Sequence, residues 1–342
     1  MTEPLLSFTD QGIYCAQGDF FIDPWRPVPR ALITHGHSDH ARWGHGAYLA
    51  THQALPVMRH RLGDIHAEGL LYSERRDING VAVSFHPAGH VPGSAQIRVE
   101  YKGQIWVVSG DYKLEDDGLS EPFESVRCHA FVSECTFGLP LFRWQPQTVI
   151  AAQIRAWWQA NAAAGKQSII AAYGLGKAQR LICMLGGGGP PILTHTAVEN
   201  TTRILRSQGY AIPATEKVTP DMTAESHPGR LVIAPPSALG SAWAKRLGPA
   251  EEAFASGWMA LRGIRRRRGL AQGFVISDHA DWPDLNRAIK ATGASRIFAT
   301  HGYTTPFRRW LEEQGYQAGI VETGYGGDQA EEDGEMIAGP AA

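Results

Sequence analysis

One turn constrains this chain more than any other feature. It is Thr34-His35-Gly36-His37-Ser38-Asp39-His40, with three histidines and an aspartate inside six residues. It follows a short apolar run, Ala31-Leu32-Ile33, which reads as a buried strand. Gly36 lets the backbone turn sharply where that strand ends. Imidazoles and a carboxylate crowded this closely serve packing poorly, but they are the N/O ligand set that zinc takes. A purification tag would be terminal and repetitive, and this stretch is neither.

Ligand-type residues recur just past other apolar runs. Val81–Phe85 leads into a glycine- and proline-punctuated loop with His86 and His90. Gln104–Ser109 ends at Gly110-Asp111, and Phe131-Val132-Ser133 at Glu134. Gly273–Ser277 ends at Asp278-His279, and Arg296–Thr300 at His301. Loops at strand ends along one rim of a sheet are where active sites commonly assemble. Asp23 closes the apolar run Phe20-Phe21-Ile22. It could orient a ligand or its loop, and an ordinary strand-end turn is an equal reading. His45, His52, His60 and His66 follow no tight pattern and read as surface or core histidines.

With 342 residues the chain can hold two domains or one large one. Residues 141–257 differ in texture. An alanine-rich helix over 151–164 precedes a strand at 168–172, and Tyr173–Lys177 turns into a helix near Ala178. A helix over 201–208, a strand at 230–234 and a helix after Pro235-Pro236-Ser237 follow. That alternation suggests a small α/β domain inserted into the first fold. Further on, Asp281 can cap a helix with Pro283 in its first turn, running to Gly293. The acidic, glycine-rich tail, 326–342, is expected to be disordered. A net charge of −2 means that an anionic substrate must be met by a local patch. The four cysteines show no metal spacing and no disulfide framework. No signal-like N-terminus or membrane-length apolar run is present, so a cytoplasmic protein without a membrane partner is expected.

His35-Gly36-His37-Ser38-Asp39-His40 resembles the HxHxDH signature of the metallo-β-lactamase fold. With Gly89–Ser94, Ser109-Gly110-Asp111, Ser133–Gly138, Ser277-Asp278-His279 and Thr300-His301-Gly302, it resembles the β-CASP nucleases. The arginine run leading into Gly273–Asp281 most resembles the bacterial ligase-associated DNA exonucleases. This likeness implies an α/β fold, an αββα metallo-β-lactamase sandwich with an inserted α/β β-CASP cap. The sandwich would comprise 1–140 and 270–325, the cap 141–269, and the active site would lie between them.

The same resemblance implies two zinc ions, with manganese as an alternative working metal. His35, His37 and His90 would hold one ion and Asp39, His40 and His301 the other, with Asp111 bridging. Asp39 would thereby also serve catalysis. His90 is preferred to His86 because it precedes the Pro-Gly-Ser element. His279 would protonate the leaving group, with Glu134 supporting it. Arg262, Arg265, Arg266, Arg267 and Arg268, with Lys177, Arg180 and Ser237, would grip the nucleic acid, Ser237 through a 5′-phosphate pocket at a helix start. The implied activity is a 5′ to 3′ DNA exonuclease of repair or end processing, with a DNA ligase and a helicase as implied partners. An RNA-processing β-CASP nuclease is the alternative, because His301 stands where many eukaryotic DNA-repair members carry valine.

Overall fold

The computed structural model describes residues 4–267 and 272–323. Arg268 and the 326–342 tail lie outside the described residues, as do the side chains of Arg265 and Arg267. The chain forms two compact units, one from 1–116, 120–143 and 279 onward, the other from 117–119 and 144–278.

The first unit opens with β1 (Ser7–Phe8), β2 (Ile13–Cys15), β3 (Phe20–Ile22), β4 (Arg30–Leu32) and β5 (Ala47–Thr51). Helix α1 (Leu55–Leu62) and β6 (Ala67–Leu70) follow. These six strands form one sheet in sequence order. Next come β7 (Arg76–Ile78), β8 (Val81–Pro87), β9 (Ala95–Tyr101), β10 (Gln104–Val108) and β11 (Ala130–Cys135).

The second unit contains α2 (Gln147–Ala163), β12 (Gln167–Ala171), α3 (Lys177–Leu185), β13 (Ile192–Thr194) and α4 (Thr196–Ser207). It continues with β14 (Thr215–Lys217), β15 (Leu231–Ala234), α5 (Ala242–Lys245), β16 (Ala250–Ala255), α6 (Arg262–Arg267) and β17 (Gln272–Phe274). Its strands form a wholly parallel six-stranded sheet, ordered β14-β13-β15-β12-β16-β17. Ile169, Ile170, Val232 and Ile233 are all fully buried, as expected when helices cover both faces of a parallel sheet.

On returning to the first unit the chain adds α7 (Trp282–Thr292), β18 (Arg296–Gly302), α8 (Thr304–Glu313) and β19 (Gln317–Ile320). The second sheet of that unit has seven strands, ordered β19-β18-β11-β10-β9-β8-β7. Phe20, Ile22 and Leu32 of the first sheet share one buried cluster with Val83, Phe85, Ile97 and Val132 of the second. Each such side chain contributes about 1.5–3 kcal/mol on leaving water. Period-two alternation sends Phe131 to the other face, where it packs with Leu285 and Ile289 of α7 and Phe307 of α8. On the outer face of the first sheet, Ala31 and Tyr48 pack with Leu55 and Met58 of α1. The layers are therefore helix, sheet, sheet, helix.

Several expectations change. Gln272–Phe274 pairs with β16, so the chain leaves the second unit after Asp278 rather than at 269. The arginine run begins as a helix, Arg262–Arg267, for which the sequence carries no separate signal. Pro236–Ala238 is a single 3-10 turn, and the helix after it has only four residues, Ala242–Lys245. β14 reads Thr-Glu-Lys, which has no strand signature of its own and is a strand because β13 pairs with it. Helix α7 matches its signals: Asp281 accepts from the Asp284 N–H at 3.0 Å, and Gly293 ends the helix at φ +67°. No helix among the described residues is long and apolar enough to cross a membrane.

Candidate metal centre

β8, β10, β11 and β18 run in the same direction, so their carboxyl ends share one edge of the second sheet. His90, Asp111, Glu134 and His301 all stand at that edge. β4 supplies the histidine turn from the first sheet, and the Thr34 carbonyl accepts the Ala95 N–H at 2.8 Å, tying the end of β4 to the start of β9.

Four donor atoms converge there. His37 Nδ1 lies 3.1 Å from both His35 Nε2 and His90 Nε2. Asp111 Oδ2 lies 3.4 Å from His35 Nε2 and 3.7 Å from His90 Nε2. Donors bound tetrahedrally to zinc at about 2.0–2.1 Å stand roughly 3.3–3.4 Å from one another. The observed separations bracket that edge length, so His35, His37, His90 and Asp111 could hold a metal ion. A second set adjoins it. His40 Nε2 is 3.3 Å from both Asp39 Oδ2 and Asp111 Oδ2, and the His301 ring stacks on His40 with centroids 5.0 Å apart. His40, Asp111 and His301 form another group with donors within 4.8 Å of one another. Asp111 is common to both sets. It is buried, and its Oδ1 has no hydrogen-bond partner among the described residues. A carboxylate oxygen left thus is costly unless a cation meets it.

The electrostatics agree with a cation site. Burial holds the fully enclosed His35 imidazole well below its ordinary pKa, so it stays neutral, the ligating form. Burial opposes charge on His40 too, but Asp39, Asp111 and Asp23 outweigh it and hold His40 well above its ordinary value. Burial likewise opposes charge on Asp111, yet His40 and His279 keep its carboxyl well below the usual range. Three carboxylates that draw a proton onto one imidazole would be met as well by a divalent ion.

A supporting layer fixes these groups. Asp23 Oδ1 accepts the Thr34 N–H at 2.8 Å, and Oδ2 accepts the Thr34 hydroxyl at 2.6 Å. His40 Nδ1 lies 2.7 Å from Asp23 Oδ2, and His35 Nδ1 3.1 Å from Thr34 Oγ1. Each ring thus has its far nitrogen engaged, which sets the tautomer and leaves Nε2 for the centre. Ser94 Oγ accepts the N–H groups of His90 and Val91, at 3.1 and 3.2 Å. Arg61 donates to the carbonyls of Gly36 and Ala41 and clasps the histidine turn. Thr34, Ser94 and Arg61 were not singled out in the sequence. Thr34 and Ser94 lie within the quoted motifs, whereas Arg61 comes from α1 with no local signal.

Register explains His301. Glu134 pairs with Thr300 and Cys135 with Gly302, so His301 is the extra residue of a β-bulge, at φ +54°. Bulges re-aim a side chain, here toward His40. Glu134 is fully buried; its Oε1 accepts the Tyr112 N–H at 2.8 Å and its Oε2 lies 2.9 Å from His279 Nδ1. The rings of His279 and His90 are 4.7 Å apart. His86 is engaged elsewhere, with Nε2 3.0 Å from Ser84 Oγ and Nδ1 3.1 Å from Glu124 Oε1. His45 is a core histidine that accepts the Val28 N–H, and burial lowers its pKa to about 4.

The expected nucleic-acid contacts are less uniform. Arg262 and Arg266 are exposed on α6. Lys177 and Arg180 are buried rather than presented to solvent. Arg180 donates to Gln147 Oε1 and the Ser277 carbonyl, each at 2.6 Å, and Asp278 lies 3.5 Å away. Lys177 sits 3.7 Å from Asp278 and 5.0 Å over the Tyr173 ring. Both cations are taken up by their own unit because α3 buries its first turn. Ser237 is exposed, but its 3-10 turn uses the Ala238 and Leu239 N–H groups on the carbonyls of Pro235 and Pro236, so the expected helix start is absent.

No family model matches the chain. A protein of Opitutus terrae named Probable DNA ligase is 30% identical over 314 residues, 91% of this chain and 30% of that protein. Ribonuclease TTHA0252 of Thermus thermophilus is 29% identical over 147 residues, 35% of this chain and 34% of that protein. The chain thus spans about a third of the length of these curated relatives. A crystal structure of a protein of unknown function from Enterococcus faecalis V583 superposes with a TM-score of 0.57 at 12% identity, covering 86% of this chain and 79% of that one. That is a likeness of fold alone.

Proposed function

We propose that the chain is a metal-dependent phosphodiesterase that trims DNA ends, a 5′ to 3′ exonuclease of the metallo-β-lactamase and β-CASP type. The observation that carries this reading is the convergence of His35, His37, His90 and Asp111 at tetrahedral edge distances, with Asp39, His40 and His301 adjoining through Asp111. The helix-sheet-sheet-helix layering supports the metallo-β-lactamase assignment. A relative named for DNA ligation and one named as a ribonuclease support a nucleic-acid substrate.

Two zinc ions would be held by the two sets, with manganese as an alternative working metal. When bound, such ions activate water near neutral pH and neutralise the phosphate oxygens. The chain's own residues supply the rest. Asp23 holds His40 by Nδ1, and Thr34 holds His35, so both rings present Nε2. Glu134 engages His279 Nδ1, which leaves Nε2 as the atom that would pass a proton to the departing oxygen.

The test is parallel digestion of 5′- and 3′-labelled DNA and RNA of one sequence, by protein stripped with a chelator and by protein restored with zinc or manganese. Metal-dependent release of nucleotides from DNA 5′ ends, with about two metals bound per chain, is expected. Faster digestion of RNA would favour the ribonuclease reading. Undiminished hydrolysis with less than one metal per chain would overturn the metal mechanism.

A further inference from the structure

Trp43 is the most exposed of the large apolar side chains, at 75%, and no hydrogen bond or ring contact holds its indole among the described residues. Single exposed apolar residues are ordinary on a surface. Leu71 and Leu141 are such cases, at 57% and 56%. Trp43 differs in where it stands and in how its backbone is held.

It follows the ligand-type residue His40 by three positions, so at most about 11 Å of extended chain separates the two. The turn that carries it is pinned on both sides. The Tyr48 hydroxyl donates to the Arg42 carbonyl at 2.7 Å and accepts the His45 N–H at 3.1 Å, so one oxygen brackets Trp43 and Gly44. Upstream, the Ala41 N–H donates to the His37 carbonyl at 2.8 Å, and Arg61 donates to Ala41. Arg42 reaches the Trp25 carbonyl at 3.4 Å. A loop pinned at this many points keeps a large indole in water at one place. Ordering a loop costs entropy, and holding an unpacked tryptophan gains nothing for the fold.

We infer that Trp43 is a stacking platform for a nucleobase of the substrate strand, next to the candidate metal centre. The inference rests on the nuclease reading above. It adds the substrate feature recognised, an unpaired base with a free π-face, so the strand must be single at that point. Stacking tolerates any base, which suits an enzyme that must pass along a sequence.

The experiment compares wild type, Trp43→Ala and Trp43→Phe on single strands in which an abasic residue is moved stepwise past the scissile bond. Binding, KM and kcat are measured, and bound metal is quantified. Trp43→Ala is expected to weaken affinity about fivefold to a hundredfold, the range of one base–aromatic stack, with kcat moved less than KM and metal content intact. Trp43→Phe should recover most of the loss. At one abasic position wild type should lose the same affinity, and Trp43→Ala should lose little more there, since both changes remove one contact. Equal affinity of wild type and Trp43→Ala on intact strands would overturn the platform while leaving the nuclease reading standing. Fully additive penalties at every abasic position, or loss of metal from Trp43→Ala, would also overturn it. Failure of wild type to bind or cut any strand would remove the nuclease reading itself.

Discussion

His279 and Glu134 lie outside the first set of donors. Glu134 is fully buried, and its carboxylate is committed to the Tyr112 amide and to His279 Nδ1. A buried carboxylate that holds one ring nitrogen orients the ring and fixes which nitrogen it presents to the site. On the proposed reading, His279→Ala is expected to lower turnover about 10²- to 10⁴-fold, the usual worth of a general acid, with bound metal unchanged. Turnover and metal content are measured on the same preparations. Metal lost in proportion to activity would make His279 a ligand, a role its grouping with Asp111 and Glu134 also permits. Asp23 shows a different division. Its place after a strand reads equally as a turn, and only the folded chain brings its two oxygens to Thr34 and His40.

Among the elements, the end of β18 is the most exacting. Gly302 pairs with Cys135 just past the bulge and has φ +72°. A Cβ there would stand 2.4 Å from the Thr136 Cα and 2.6 Å from the Cys135 carbonyl, both backbone atoms with little room to yield. The Cys135 thiol donates to the His301 carbonyl at 2.9 Å, so β11 and the bulge are held as one piece. Gly302→Ala must push that end of β18 away from β11 and carry His301 with it. On the proposed two-metal reading, bound metal is expected to fall by about one ion per chain, with stability falling by roughly 1–3 kcal/mol for the strained backbone. Elemental analysis and denaturant unfolding would check this. A variant with two metals and unchanged stability would show that the bulge does not aim His301.

At the scale of the whole molecule, every candidate ligand lies in the first unit, yet they come from chain segments as far apart as His35 and His301. A cation bound there stabilises only the folded state of that unit. The gain is about 2.7 kcal/mol when free metal stands at a hundred times its dissociation constant. Calorimetry with and without a chelator should therefore show the first unit's transition falling by several degrees while the second unit's stays in place. Equal shifts of both transitions, or none, would argue against a structural load on the metal.

Much of the site can be read along the chain because its parts are local. A ligand that follows an apolar strand is written as a few adjacent residues, and the edge it occupies follows once the strands run parallel. The same holds for α7, whose cap, proline and terminal glycine are all within its own stretch. His90 could be preferred to His86 by its neighbours, and the fold then shows His86 occupied by Ser84 and Glu124. Other features depend on partners that no local pattern names. β14 is a strand only through β13, and β17 joins the second unit only because β16 accepts it. Lys177 and Arg180 look like surface charge until Asp278 is folded against them. Arg61 becomes a clasp, and Trp43 a fixed exposed ring, through carbonyls and a hydroxyl from other segments. By itself the sequence determined which residues are candidates for the chemistry, since side-chain type and short spacing are local properties. Tertiary structure alone decided which charges are spent inside the fold and which stay exposed, because burial and pairing are set by chain segments that meet only on folding.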